Sequence, residues 1–281
     1  MNKTRWKNIY SELKSNKLGY VSIAFLVIFI FAGIFAFLAP YDPNQIVVQD
    51  RLQAPSGVHF FGTDDYGRDY FSRALYGGRV SLMVGFLAMI IATGLGTTIG
   101  TISGYFGGLL DNMLMRAVDI LMSIPAFLIM LILSVYLKPG VGTVILIIGL
   151  LTWMNTSRLV RAETLSAKER EFVLYAKVSG QSSFKIIIKH IIPSILPTVI
   201  VSATINIASA ILMESSLSFL GLGVQQPNST WGSMLNNAQG YLSDAPHLAI
   251  FPGIFILLTV LSFNVLGDIF RVAFEPKLNQ R

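Results

Sequence analysis

The 281-residue sequence has no cysteine and little charge. Without cysteine, the chain has neither a disulfide framework nor a thiolate metal site. Charged residues make up 13% of the chain and hydrophobic residues 53%, and the mean hydropathy is +0.63. This composition is more apolar than that of a soluble globular domain, and it predicts an all-α protein that crosses a membrane several times.

The sequence also lacks a nucleotide-binding motif. A P-loop requires a Gly-Lys-Ser or Gly-Lys-Thr run, and no Gly-Lys pair occurs in the chain. We therefore predict no ATP site, no catalytic residue and no cofactor in this chain. The pI near 9.5 would indicate nucleic acid binding in a soluble protein. Here the basic residues cluster beside apolar runs, so membrane topology explains them better and no nucleic acid partner is predicted.

Residues suited to metal binding are sparse. The three histidines are scattered at positions 59, 190 and 247. Asp64, Asp65 and Asp69 have the short carboxylate spacing found in calcium loops, but the complete pattern of such a loop is missing. No metal site is therefore predicted.

Six apolar runs follow one another along the chain. The first, 18–39, contains 22 residues without a charge, which as a helix is about 33 Å long and exceeds a bilayer core of about 30 Å. This run is longer than the core of a signal peptide, so we interpret it as a retained span, with a cleaved signal as the alternative. Pro125 predicts a kink in the third run. The other five runs are 80–101, 117–137, 139–157, 191–213 and 248–267.

Glycines recur every four residues in the second apolar run, at Gly96, Gly100 and Gly104. Small residues at this spacing let two helix backbones approach closely within a bilayer. We therefore predict a helix-packing face here, and not a phosphate-binding loop.

One long polar segment, Glu171–Pro197, interrupts the apolar second half of the chain. Phe172, Tyr175, Ala176 and Ser179 have helical spacing. Gly180 is suited to a left-handed helix end, and residues 181–183 offer a new N-cap. We predict a helix–turn–helix that docks on a partner, with an ordinary basic loop as the alternative.

The distribution of basic residues predicts the orientation of the chain in the membrane. Six spans place both termini on one side, and that side carries 16 of the Lys and Arg residues while the other carries 5. The positive-inside rule then assigns the termini to the cytoplasm of a prokaryotic cell. The predicted organisation is a cytoplasmic segment 1–17, a first helix 18–39, an extracytoplasmic loop 40–79 with an amphipathic helix, a five-helix core 80–271 that includes the cytoplasmic loop 158–190, and a cytoplasmic tail 272–281.

The polar segment resembles the coupling-loop signature of permease subunits of ATP-binding-cassette (ABC) importers. That signature reads EAA, three residues, G, nine residues, I-x-L-P. Ala176, Gly180, Ile192 and Pro193 fit its positions, whereas Leu174 replaces the Glu and His190 replaces the first Ile. The His-Ile-Ile-Pro ending is similar to that of the peptide and nickel branch of the family.

Two segments expected outside the membrane resemble the same branch. The first contains Gly62-Thr63-Asp64, Gly67-Arg68-Asp69 and Ser72-Arg73. The second and more specific one contains Glu214, the run Leu217–Gly223, Pro227, Trp231-Gly232 and Met234-Leu235. The final segment, 266–276, is similar too, although Val272 stands where a second acidic residue is usual.

The resemblance implies a type I ABC importer permease with six transmembrane helices. It implies pairing with a second, homologous permease, two cytoplasmic ATPases that bind ATP and Mg²⁺, and an extracytoplasmic substrate-binding protein. The cargo would be dipeptides or oligopeptides, with nickel or a metal chelate as the alternative. Coupling to the ATPase would involve Glu171, Phe172, Tyr175, Ala176, Ser179, Gly180, His190 and Pro193.

Glu214, Phe219 and Leu220 are candidates for the pathway or its outer gate. A carboxylate beside a membrane span is a functional candidate by default, but Glu214 is equally suited to a structural role. Trp231 is expected to be an interfacial anchor. An ion-coupled secondary transporter is the rival function, and the nearly charge-free middles of the apolar runs argue against it. A purely structural membrane subunit is a further alternative.

Overall fold

The chain folds into long helices joined by short connections in the computed structural model, which describes residues 12–13 and 16–274. Among these residues the ordered elements are helical, apart from one isolated bridge between Thr63 and Asp69. The helices are α1 (Lys17–Ile34), α2 (Tyr70–Phe106), α3 (Gly108–Met122), α4 (Ala126–Tyr136), α5 (Val141–Lys168), α6 (Glu171–Val178), α7 (Ser183–Phe219), α8 (Trp231–Ala238) and α9 (His247–Phe274). Single 3₁₀ turns cover Ala36–Leu38, Val48–Asp50 and Gln239–Tyr241.

Five of these helices, α1, α2, α5, α7 and α9, are long and apolar enough to cross a membrane. The count rises to six if α3 and α4 form one broken span, since they meet at an angle of 74°. The break lies at Ser123–Pro125, where Pro125 predicted a kink. The predicted all-α architecture is confirmed, with five or six apolar segments that are able to cross a membrane.

Several helices extend beyond the apolar runs. The stretch 70–79 forms the first turns of α2, so it is not a separate amphipathic helix on the membrane surface. Asp69 caps α2 by accepting a hydrogen bond from the Ser72 N–H at 2.7 Å, and Ser72 and Arg73 are buried. Likewise 158–168 continues α5, and Glu214 lies inside α7. Helical hydrogen bonding continues past the apolar residues because nothing in these stretches breaks it.

The α2–α5 pair forms the centre of the bundle. Gly96 of α2 faces Thr156 of α5, and Gly104 faces Thr164, so the two helices run parallel. A Cβ atom added to Gly96 would lie 2.6 Å from Thr156 Cβ, and one added to Gly100 would lie 2.4 Å from the Ser157 carbonyl oxygen. Only glycine permits this approach, which confirms the predicted packing face.

A network of uncharged polar groups connects α2, α5 and α7. The Asn206 side-chain amide donates to Thr93 Oγ1 and Thr156 Oγ1, each at 3.1 Å. Thr156 Oγ1 also lies 3.1 Å from Ser202 Oγ. Sequence analysis did not identify this network, because its members are isolated hydroxyl and amide groups within apolar runs.

The described ends of the chain lie on the same side of the bundle as α6. Gly19, at the start of α1, packs against Ile269 near the end of α9. Gly33, at the end of α1, packs against Arg79 near the start of α2. The end of α2 therefore lies on the side of Gly19, and it packs beside the end of α5, which leads directly into α6.

Candidate functional site

The short helix α6 ends as the sequence predicted. Gly180 has a φ of +72°, a backbone conformation that only glycine adopts without strain. Its N–H bonds the Lys177 carbonyl at 3.0 Å, and the Gln181 N–H bonds the Ala176 carbonyl at 3.1 Å. These two bonds form a Schellman motif. Ser182 then caps the first turn of α7 by accepting from the Lys185 N–H. The chain thus passes from α6 to α7 through four residues, 179–182.

One side of α6 is packed against the bundle. Val173 and Ala176 are buried, in a cluster with Val160, Ala167 and Ile186. Of the four residues with helical spacing only Ala176 belongs to it, whereas Phe172, Tyr175 and Ser179 are exposed. The helix is short and has apolar residues on more than one side, so helical spacing alone did not determine which side packs.

Six apolar side chains are exposed on α6 and the first turns of α7, and we call them the α6 surface. They are Phe172, Leu174, Tyr175, Val178, Phe184 and Ile188. Val178 is 88% exposed, Phe184 76% and Tyr175 71%. The exposed residues Lys177, Lys185 and Lys189 lie among them. Apolar side chains gathered within a polar, basic segment are typical of a protein–protein contact.

Sequence analysis found only part of this surface. It selected Phe172 and Tyr175 but omitted Leu174, Val178, Phe184 and Ile188. The sequence nevertheless indicated these four residues, because they are large apolar residues in a segment too polar to span the membrane.

His190 and Pro193 belong to the base of α7 and lie outside the α6 surface. His190 Nε2 lies 3.3 Å from Gln181 Oε1, and its ring lies 6.3 Å from the Phe172 ring. A π-helical turn covers Ile187–Ile191 just before Pro193. Proline has no N–H for the helical ladder, and a wider turn accommodates that loss. These residues fix how α7 leaves the turn after α6. Glu171 is exposed in the first turn of α6, where a carboxylate suits the helix dipole.

Two ion pairs hold α3 against α5 at the same end of the bundle. Arg161 Nε and Nη2 each lie 2.6 Å from a different oxygen of Asp111. Ser103 donates a further hydrogen bond to Asp111. Arg158 pairs with Asp119 in a more exposed position. A bidentate pair has a fixed geometry, so α3 is tied to the part of α5 that leads into α6.

Glu214 lies at the opposite end of the bundle and is fully buried. Ser81 Oγ donates to its Oε2 at 2.9 Å, and Ser218 Oγ donates to its Oε1 at 2.7 Å. Ser81 Oγ in turn accepts from the Trp231 N–H at 3.3 Å. The carboxylate therefore joins α2, α7 and α8, and it faces no open surface of this chain.

Phe219 and Leu220 lie at the end of α7 and are 39% and 52% exposed. The Phe219 carbonyl accepts from Asn236 Nδ2 at 2.6 Å, which ties this turn to α8. The structure does not bring these two side chains together with the Glu214 carboxylate, although all three were predicted as one pathway or gate.

Trp231 is not the interfacial anchor that the sequence predicted. Its side chain is buried and its Nε1–H bonds the Ala74 carbonyl at 3.1 Å. The ring packs on Gly78, where an added Cβ would lie 2.7 Å from Trp231 Cζ2. The indole is accommodated because α2 has a glycine opposite it.

The loop that precedes α2 is held by charged groups within it and in the first turn of α2. Arg68 Nε bonds Asp64 Oδ2 at 2.7 Å, and Arg73 Nε lies 3.4 Å from the same oxygen. Asp69 Oδ1 lies 2.8 Å from His59 Nδ1. Burial raises the pKa of the neighbouring Asp65 carboxyl, and the Asp64 carboxylate adds to that rise. The Asp64 and Asp69 carboxylates thus bond protein groups of this loop and of the first turn of α2.

Two family models match the chain. One, described as the inner membrane component of binding-protein-dependent transport systems, matches residues 96–280. The other, described as the N-terminal transmembrane domain of oligopeptide transport permease C, matches residues 4–55.

Several curated proteins are similar to nearly the whole chain. The dipeptide transport system permease protein DppC of Alkalihalophilus pseudofirmus is 40% identical, over 97% of this chain and 90% of its own length. The oligopeptide transport system permease protein OppC of Bacillus subtilis is 37% identical, over 98% and 90%. The glutathione transport system permease protein GsiD of Escherichia coli is also 37% identical, over 98% and 92%.

A solved structure has a similar fold. A chain of the methionine ABC transporter MetNI in an inward-facing conformation matches with a TM-score of 0.56 at 17% sequence identity. The match covers 72% of this chain and 97% of that one. Because the identity is low, this likeness concerns the fold.

Proposed function

The chain belongs to the family of inner membrane components of binding-protein-dependent transport systems, and from that premise we propose that it carries peptides through one half of a translocation pathway. Members of this family are multi-pass inner membrane permeases of ABC importers. They work with ATPase and substrate-binding partners, and ATP hydrolysis belongs to the ATPase subunits.

The proposed peptide cargo rests on the relatives. The three named above are permeases for dipeptides, oligopeptides and glutathione, which are all short peptides. The proposed pathway is completed by a second, homologous permease, so that the working unit contains two different permease chains. Nickel or a metal chelate, the alternative cargo, has no comparable support among these relatives.

The α6 surface is the proposed docking site for an ATPase, which would bind the ATP and Mg²⁺. The observation that carries this proposal is the outward exposure of Tyr175, Val178 and Phe184 on a helix whose other side is packed. Because α5 leads into α6 and packs closely on α2, a movement of α6 would move the centre of the bundle. ATP binding and hydrolysis would thereby open the pathway to each side in turn.

The proposed orientation places α6 and both ends of the chain in the cytoplasm. Gly19 and Ile269 lie on the α6 side of the bundle, in agreement with an even number of crossings. The basic residues are concentrated on that side, as the positive-inside rule requires of a cytoplasmic surface. The loop that precedes α2 and the segment around α8 then face the substrate-binding protein.

Glu214 has a proposed structural role. Its carboxylate bonds hydroxyl groups of two helices and is enclosed by protein. We propose that it fixes the outer ends of α2 and α7 and does not touch the cargo.

The test of this function is purification of the chain from native membranes in a mild detergent, with identification of bound proteins by mass spectrometry. We expect a second permease and an ATPase in the same complex. The same complex, reconstituted in vesicles with its binding protein, should take up a labelled di- or tripeptide when ATP is supplied. Recovery of the chain alone or as a homo-oligomer would contradict the proposal and favour a secondary transporter.

A further inference from the structure

An apolar groove lies between α1 and α2 on the side of the 40–69 loop. Its volume is about 320 Å³, within the range of about 300–1,000 Å³ common to small-molecule sites. One wall includes Ala32 and Gly33 of α1, and the other includes Leu75 and Gly78 of α2. Phe61, Trp231 and Phe255 also line it. The groove therefore lies between two helices that are long and apolar enough to cross a membrane, at the end where the 40–69 loop joins them.

A charged side chain stands beside this groove without a partner. Arg79 follows Gly78 on α2, and a Cβ added to Gly33 would lie 3.3 Å from Arg79 Cα. The Arg79 side chain is exposed, and within the part of the chain that the structure describes no acceptor bonds its guanidinium. A cation beside an apolar groove at the end of a membrane helix favours an anionic partner, and the described residues offer none there.

The two features share one face of α2. Phe71, Leu75 and Arg79 recur at every fourth residue, which places them on the same side of the helix. Helical side chains lean toward the helix N-terminus, so we expect the Arg79 side chain, which is not itself part of the groove lining, to lean toward the Phe71 end. Phe71 also lines the groove and lies nearer the 40–69 loop. An arginine near the end of a membrane helix can place its charged group among the lipid headgroups while its stem lies on apolar surface.

We propose that this groove binds one phospholipid, with an acyl chain between α1 and α2 and the phosphate on Arg79. A guanidinium matches a phosphate in charge and in hydrogen-bond geometry. An apolar partner helix would fill the groove but leave the Arg79 charge unpaired. The charge thus favours a phospholipid of the membrane leaflet on the side of the 40–69 loop over a protein segment.

The test uses the purified complex, stripped of lipid and titrated in native mass spectrometry. The two probes are dioleoyl phosphatidylglycerol and dioleoylglycerol, which has the same acyl chains but no phosphate. We expect one site that prefers phosphatidylglycerol by about tenfold, the effect of roughly one charge-assisted bond. Arg79→Gln should abolish this preference, whereas Ala32→Phe should weaken binding of both lipids. Millimolar inorganic phosphate should not displace the lipid.

Arg116→Gln is the matched control. Arg116 lies on α3, is also exposed and has no bonded partner among the described residues, so its loss should leave the site unchanged. Equal lipid binding by the wild type and Arg79→Gln, or an equal loss in Arg116→Gln, would overturn the proposal. Arg79 has no hydrogen bond or ion pair with another described residue, so Arg79→Gln should fold, and the two arginine variants test the proposal even if Ala32→Phe fails to assemble.

Discussion

At the α6 end of the molecule Tyr175 and Val178 point away from the bundle, whereas at the opposite end Glu214 and Trp231 are enclosed by it. All four lie in or next to segments that resemble signatures of one permease family. At the α6 end, side chains of the segment are left free to contact another protein. At the other end Glu214 and Trp231 bond to neighbouring helices, although Phe219 and Leu220 beside them remain exposed.

The difference shows that the two family signatures mark different physical roles, contact with a partner at the α6 end and stability of the fold at the other. Removing an enclosed residue should damage the fold, and transport should fall only as a consequence. Removing an exposed residue should leave the fold intact and weaken a contact with a partner. Four substitutions test this difference between enclosed and exposed residues, and the expected loss of stability decreases from the first to the last.

Glu214→Ala should have the largest effect on the folded chain. It removes the acceptor of the Ser81 and Ser218 hydroxyls, and leaving such groups unsatisfied in a buried site costs about 3 kcal/mol in total. Thermal unfolding in detergent should show a clear drop in melting temperature, with a smaller drop for Glu214→Gln. An unchanged melting temperature together with a loss of peptide uptake would contradict the structural role and indicate that Glu214 acts in the pathway.

Gly100→Ala should destabilise the α2–α5 pair that connects the two ends. Its Cβ would lie 2.4 Å from the Ser157 carbonyl oxygen, and such overpacking costs about 1–3 kcal/mol. Gly94→Ala is the matched control, since nothing lies within 4 Å of its Cβ. Both changes gain the same helix propensity, so their difference in melting temperature measures the contact. Equal melting temperatures would contradict the close approach of the two helices.

Gly180→Val should have a smaller effect on stability and a specific effect on coupling. A positive φ costs a non-glycine residue roughly 1–2 kcal/mol, while the space around Gly180 is open. Asparagine tolerates this backbone conformation better than valine. We therefore expect the complex with Gly180→Val to assemble and its ATPase subunits to hydrolyse ATP, but with little peptide uptake. The complex with Gly180→Asn should retain uptake. The ratio of uptake to hydrolysis in vesicles measures this, and normal transport by Gly180→Val would refute the role of α6.

Val178→Asp should leave the stability of the chain almost unchanged. Val178 is 88% exposed, and changes at such positions usually alter stability by less than about 0.5 kcal/mol. If the α6 surface contacts an ATPase, a buried charge there should weaken that contact by about tenfold or more. Co-purification of the ATPase from detergent extracts should therefore fall while the second permease is retained. Full recovery of the ATPase would show that Val178 does not contribute to the contact.

Local features were predictable from the sequence. The left-handed Gly180, the break at Pro125 and the glycine face at 96–104 each depend on residues close together in the chain. The family resemblance was also confirmed, because its motifs are local patterns that need no knowledge of the packing.

Features that depend on distant residues were not predictable. The burial of Trp231 requires Gly78 on another helix, and the enclosure of Glu214 requires Ser81. The buried side of α6 is set by Val160 and Ile186, which its own spacing does not reveal. The length of α2 was underestimated because apolar content was taken as the limit of the helix.

The most direct test of the docking role of α6 compares two exposed tyrosines at opposite ends of α5. Tyr175 on α6 and Tyr136 at the end of α4 are 71% and 84% exposed. Each is replaced in living cells by the photoreactive benzoylphenylalanine, and cross-linked partners are identified by mass spectrometry after illumination. We predict that position 175 cross-links to an ATP-binding subunit and that position 136 does not. Cross-linking of that subunit from position 136 alone, or from neither position, would contradict the assignment of α6 as the docking helix.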